Sequence, residues 1–261
     1  MIQLFPMTAM REHNHQWVSE KVIIRQTLVN QYCTELNKST RRYCIVTPSR
    51  LAAFYGNATQ ETMWFGKLYE ANKAARYAPW DGRGFLQLTW PDNYIKYWEF
   101  TGKIIADSLK IQLNKAAKQA NLQKINTPLV TMDEHIPAEM SKWRQLVEGN
   151  TADIYDAANS AGAYWVWTMA AKFADKEAPN LRATKIINGK PKAYYTNGSF
   201  GNVAGTVNIG QPTTSYSSVN GIVARFQAYT AAQVVLMDNP IFLSAEGNIE
   251  NHPDEFVPRR S

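Results

Sequence analysis

The sequence has only two cysteines, Cys33 and Cys44, too few for a disulfide framework and without the CxxC spacing of a zinc or redox site. A single bridge in an oxidising compartment is the most they allow. The four histidines, His13, His15, His135 and His252, form no HExxH or comparable cluster, so neither a metal nor a cofactor is expected, and His13 and His15 read as solvated. No run approaches the roughly 18 consecutive apolar residues of a membrane span, which argues against membrane insertion. The N-terminus has no basic start and its one short apolar patch contains a proline, so Sec export is not expected and the chain reads as made in the cytoplasm. No internal repeat or low-complexity segment interrupts it.

What is present is a chain of 261 residues, 45% hydrophobic and 12% aromatic, enough for a real core and against disorder. The formal charge of +6 favours an anionic partner: nucleic acid, a membrane surface or bacterial cell wall. Nucleic-acid binders concentrate such charge. Here it is dispersed, with Arg41-Arg42 and Arg259-Arg260 the only adjacent arginine pairs, so no nucleic-acid partner is expected.

Apolar spacing predicts a mainly α-helical chain. A first helix is expected over 16–37, ended by the polar stretch Asn37 to Arg42. A second starts at Thr47-Pro48-Ser49, where threonine can cap and proline loses no hydrogen bond, and runs to about Trp64. Residues 66–94 read as a loop or small hairpin at the functional edge. Further helices are expected over 103–123 and 152–175, with helical pieces in 124–150, and again over 219–237. Residues 188–218, weakly alternating at 192–195 and 201–209, read as a loop or hairpin insertion of about 190–216. These elements imply one domain over 1–238 and a polar tail over 239–261.

On a helical wheel, Leu51, Phe54, Tyr55, Ala58, Thr62 and Phe65 share a face, and Glu61 falls within about 60° of its centre. Such a carboxyl either lines a cleft as a general acid or is a buried glutamate satisfied by an arginine or backbone amide. The wheel does not choose. Glu70, nine residues on, lies beyond the helix end and can come back across a groove to face it, although alone it reads as a solvated loop charge. Two carboxylates are the minimum for glycoside hydrolysis. Between Trp80 and Trp90, two glycines flank Arg83, and Gln87 and Thr89 share one side of an extended segment from which they could bind sugar amides or hold a water. The two tryptophans offer either flat faces for sugar rings or core packing.

The order Gln60-Glu61-Thr62, GRGFLQLTWPDNYIKY, SAGAYWVW, KIING and VNGIVARFQAYTAAQVVL resembles the family 19 glycoside hydrolases, the group of class I chitinases and many phage endolysins. The motifs span roughly residues 45–238, and the GRG-x-x-QLT-x-x-x-NY signature covers Gly82 to Tyr94. The resemblance implies a lysozyme-like, two-lobed helical fold and inverting hydrolysis of β-1,4 linkages. It implies Glu61 as acid, Glu70 as base and Thr89 as the residue positioning the attacking water. It further implies that Gln60, Thr62, Trp80, Arg83, Gln87, Trp90, Asn93, Tyr94 and Asn188 line the sugar subsites. Gln60 stands where the family has histidine, and Met63-Trp64 where it has a glycine pair. The few cysteines point to the bacterial or phage branch, and hence to peptidoglycan as substrate. A chitinase and a catalytically silent sugar-binding member of the fold are the alternatives. As an endolysin or an antibacterial type VI effector the chain would act in the periplasm, and an effector would have an immunity protein as partner.

Overall fold

The computed structural model describes residues 8–13, 16–23, 26–70, 72, 74–149 and 153–251. His15 and His252 lie outside them, and so does the side chain of His13. In chain order the elements are β1 (Thr8–His13), β2 (Gln16–Lys21), α1 (Gln26–Arg42), α2 (Pro48–Glu61), α3 (Pro91–Phe100), α4 (Asp107–Gln123), α5 (Thr127–Asp133), α6 (Ala138–Glu148), α7 (Tyr155–Trp167) and α8 (Ala171–Ala174). There follow β3 (Asn180–Ile187), β4 (Lys190–Asn197), α9 (Gly198–Ile209), α10 (Ile222–Leu236), β5 (Phe242–Leu243) and β6 (Ile249–Glu250). Among the described residues the chain is mainly α-helical, as expected, with two small sheets. It divides into two compact units: residues up to Gly66 together with those from Trp165 on, and Lys67–Tyr164.

In the first unit α2 packs along α10. Both are buried nearly all round, α2 from Ala52 to Thr59 and α10 from Val223 to Gln233, as befits a central pair. The close fit depends on Gly56, where a Cβ would lie 3.0 Å from the Phe200 ring and from the Tyr229 side chain. Those two rings stack at 4.2 Å between centroids. Thr47 caps α2 as the sequence predicts, its hydroxyl accepting from the Arg50 amide, and Pro48 occupies the first turn. The helix stops at Glu61, short of Trp64, because Met63, Trp64 and Phe65 all take left-handed φ of 50 to 60°. The Trp64 amide reaches back to the Thr59 carbonyl and that of Gly66 to Thr62, which closes the helix end.

The helix expected over 16–37 is instead a strand followed by a helix. β2 pairs with β1, and the Met10 amide of β1 donates to the buried Gln227 side chain on α10. A contact 217 residues away decides the local structure. The polar stretch 37–42 is helical, not a terminator: Ser39 and Thr40 are buried, and Arg41 and Arg42 suit the carbonyl end of α1. The weak alternation over 201–209 is likewise helix, with α9 capped by Asn197, whose side chain accepts from the Phe200 amide. Its small residues serve packing, since a Cβ at Gly201 would lie 2.4 Å from the Tyr216 ring. The second sheet runs β4-β3-β5-β6, parallel only between β3 and β5. Residues beyond 239, expected as a polar tail, thus supply two of its strands.

The second unit holds α3 to α6 and most of α7, around Trp80, Tyr94 and Trp98, whose rings meet at 5.6 to 5.8 Å. Trp143 packs edge-on against Trp98. The phenol of Tyr97 donates to Asp156 and accepts from Asn159, tying α3 to α7. The helix expected over 152–175 breaks after Trp167, where Met169 takes φ of 55°. Between Gly66 and Pro91, expected as a loop or small hairpin, the chain is a loop with isolated bridges, Tyr69 to Arg83 and Arg83 to Leu88.

Candidate functional site

Glu61 is the last residue of α2, where the all-round burial of the helix gives way and its side chain keeps 15% exposure. Its Oε1 accepts from the Arg225 guanidinium at 2.5 Å. Arg225, 1% exposed, also donates to Asn57 Oδ1 at 2.8 Å and to the Asn220 carbonyl at 3.0 Å. Asn57 in turn donates to the Ala53 carbonyl. The arginine partner that the second reading of the wheel requires is present, and it occupies Oε1 alone. Glu61 Oε2 has no hydrogen bond among the described residues, and the second oxygen of the carboxyl is therefore not spent on the pair.

Arg225, within the segment VNGIVARFQAYTAAQVVL, is a functional residue that the sequence analysis does not single out. A signal was available. An arginine in an otherwise apolar helix must find an acid or carbonyls when buried, and Glu61 was the acid written into an apolar face.

Gln60 lies against the start of α10: a Cβ at Gly221, which has φ of +64°, would come within 2.3 Å of Gln60 Nε2. Thr62 does not line a sugar subsite. It is fully buried, donating to the Ala58 carbonyl and accepting from the Phe65 amide, and so serves the closure of α2. Asn188 is also explained otherwise. With Gly189 it makes the β3–β4 turn, at φ of 52° and 73°, the two left-handed residues that a two-residue hairpin requires.

In the second unit Glu70 is half-buried, its Oε1 accepting from the Tyr77 phenol at 2.7 Å and its Oε2 from the Gly82 amide at 3.3 Å. The backbone answers, the Glu70 amide donating to the Gly82 carbonyl at 2.8 Å. Glu70 is thus positioned by the glycine-arginine-glycine loop and is not a freely solvated charge. Burial, then the Glu70 carboxylate, pushes the Tyr77 phenol above its ordinary range and keeps it a proton donor.

The glycines of that loop have separate reasons. A Cβ at Gly82 would lie 2.8 Å from Gln87 Oε1, and Gly84 has φ of +78° with its missing Cβ 2.9 Å from the Ala157 carbonyl.

Three residues expected at sugar subsites are core instead. Trp80 is fully buried, under the Arg144 guanidinium at 4.6 Å. Tyr94 is fully buried, its phenol donating to the Asp81 carbonyl and accepting from Arg83; burial raises it well above the usual tyrosine range. Arg83, 9% exposed, pairs with Glu148 at 3.2 Å and Asp81 at 3.4 Å. A buried guanidinium and phenol satisfied by one another cannot also bind a polymer. Core packing was therefore the right alternative for Trp80.

The part-exposed remainder gathers beside this core. Gln87 donates to the Gly84 carbonyl, Thr89 to the Gln87 carbonyl and Asn93 to the Thr89 carbonyl, so one chain of hydrogen bonds sets all three side chains. Trp90 meets Tyr77 edge-on at 5.5 Å and lies under Arg76 at 5.8 Å. Of the sequence-predicted site residues in this unit, Glu70, Gln87, Thr89, Trp90 and Asn93 keep solvent access, as does Tyr77 beside them. Among the described residues no group of three or more His, Cys, Asp or Glu could hold a metal ion, and no helix is long and apolar enough to cross a membrane. Cys33 and Cys44 are free thiols. No family model and no curated protein matches the chain.

Proposed function

We propose that the protein is a glycoside hydrolase that cleaves β-1,4 bonds of peptidoglycan glycan strands, with the lysozyme-like, two-lobed arrangement its motifs imply. The observation that carries this reading is the state of Glu61: a carboxyl fixed through one oxygen by a buried arginine, with the other oxygen unpaired at the end of a buried helix. A general acid needs that combination of an orientation fixed through one oxygen and a second oxygen left open to the substrate. In the proposed reaction Glu61 protonates the leaving glycosidic oxygen as its bond to the anomeric carbon breaks. In the roles that the family resemblance implies, water attacks that carbon from the opposite face and a base, Glu70, takes its proton, so the configuration inverts. Arg225 then balances the new charge on Glu61, while Thr89 positions the water and Gln87, Trp90 and Asn93 contact the sugars.

The net charge of +6 suits an anionic wall. As a wall-lytic protein it would be an endolysin or an antibacterial effector that reaches the periplasm by holin-type release or contact-dependent injection, the effector with its immunity protein.

The test is mass spectrometry of reducing ends released from purified sacculi. Glu61→Gln, which keeps an acceptor for Arg225 but cannot supply the proton, is expected to lower release by about 10²–10⁴-fold with an unchanged circular dichroism spectrum. Undiminished release would overturn the assignment of Glu61. Cleavage of colloidal chitin with sacculi intact would make the protein a chitinase, and binding without any cleavage a silent sugar-binding protein.

A further inference from the structure

Helix α4 carries a face that the hydrolase reading does not use. At about 100° per residue, Leu109, Leu113, Ala116 and Ala120 fall on one side, where Leu113, Ala116 and Ala120 are buried. Ile111, Lys115, Lys118 and Leu122 fall within about 60° of one another on the opposite side. All four are exposed, Ile111 at 68% and Leu122 at 81%. By helical rise, about 16 Å separates the two apolar side chains, with both lysines between them. Ile104, just before the helix, is 94% exposed, and Ile125, just after it, 46%.

Beyond Asp107, which lies on this face one turn before Ile111 and is paired with Lys110, the charge here has one sign. Residues 108–132 contain no Asp or Glu and four lysines, Lys110, Lys115, Lys118 and Lys124. Lys110 is occupied, paired with Glu99 and Asp107 at 2.8 and 2.6 Å. Lys115, Lys118 and Lys124 are exposed and have no ion pair among the described residues.

We infer that this face of α4 docks on an anionic lipid bilayer, lying at the headgroup level with Ile111 and Leu122 immersed. Ile111 and Leu122 stand on one exposed helix face with the lysines between them, an alternation that lets the aliphatic tips enter acyl chains while the ammonium groups stay at the headgroups. Lysines interleaved with them argue for lipid over protein, because lysine is depleted from protein interfaces yet adds attraction to an anionic membrane surface. A helix half-buried in its own unit lies on a membrane and does not span it. The inference stands on α4 alone and is independent of the hydrolase reading.

The experiment is co-sedimentation of the full chain with vesicles of phosphatidylglycerol and phosphatidylcholine, and with vesicles of phosphatidylcholine only. Pelleting with the anionic vesicles alone is expected, weakening as salt is added. Lys115→Glu with Lys118→Glu should bind at least about tenfold more weakly, since each basic side chain contributes about a fivefold factor at such a surface. Ile111→Ser with Leu122→Ser should lose the salt-resistant part of the binding, and unchanged circular dichroism shows both variants folded. The inference is overturned if neither vesicle pellets the protein, if both do so equally, or if the variants bind as the wild type does. It is also overturned if the serine variant only converts a dimer in solution to a monomer, which would make this face an interface between copies of the chain.

Discussion

Replacing Arg225 by methionine keeps most of the side-chain volume and removes three donors at once. Glu61 Oε1, Asn57 Oδ1 and the Asn220 carbonyl each lose a partner. Asn57 is fully buried and the Arg225 side chain 2% exposed, so water cannot simply replace the guanidinium. Breaking a buried ion pair from one side costs about 3–5 kcal/mol. The 15% exposure of Glu61 lets some water reach the orphaned carboxylate, which places the expected loss near the lower end, about 3 kcal/mol. With a urea slope of about 3 kcal/mol/M for a chain of this size, the unfolding midpoint should fall by about 1 M. Adding Glu61→Gln removes the orphaned charge and should return about 1–2 kcal/mol, a coupling read directly from the double-mutant cycle. A midpoint within about 0.3 M of the wild type, or no recovery in the double variant, would refute the account of Arg225 as the tie between α10 and α2.

Two other perturbations test the frame around the site. Gly84→Ala forces a left-handed alanine and drives its Cβ toward the Ala157 carbonyl; the combined cost should be about 2–4 kcal/mol, read as a lowered melting temperature, and wild-type stability would contradict the glycine's assigned role. Arg50 binds both oxygens of Asp175 at 2.7 and 2.6 Å, and this hydrogen bonding holds the Asp175 carboxyl below its ordinary value. A depressed carboxyl stabilises the fold above its unfolded pKa of about 3.9 and loses that contribution as pH falls through the folded value. Because Asp175 is 43% exposed, the contribution is at most about 1 kcal/mol, and Asp175→Asn should flatten the acid limb of a stability-against-pH curve by that amount.

Local chemistry made part of this protein legible in its sequence. The start of α2 was readable because a threonine cap and a first-turn proline act within one helical turn, and Asn188-Gly189 could be recognised as a break for the same reason. The predominance of helix followed from apolar spacing. So did the approximate places of α4, α7 and α10. The set Glu61, Glu70, Gln87, Thr89, Trp90 and Asn93 was named from the sequence and keeps solvent access in the fold.

What only the tertiary structure decided is which polar and aromatic residues face inward. Trp80, Arg83 and Tyr94 carry side chains as fit for binding sugars as those beside them, yet they pair with Arg144, Glu148 and each other in a core assembled from α3, α6 and the loop before them. Arg225 meets Glu61 across 164 positions of chain. The strand at 16–21 exists because its partner β1 is held by Gln227 from α10. Periodicity and capping report on interactions a few residues apart, whereas a buried charge or a paired strand takes its stability from groups that only the folded chain brings together.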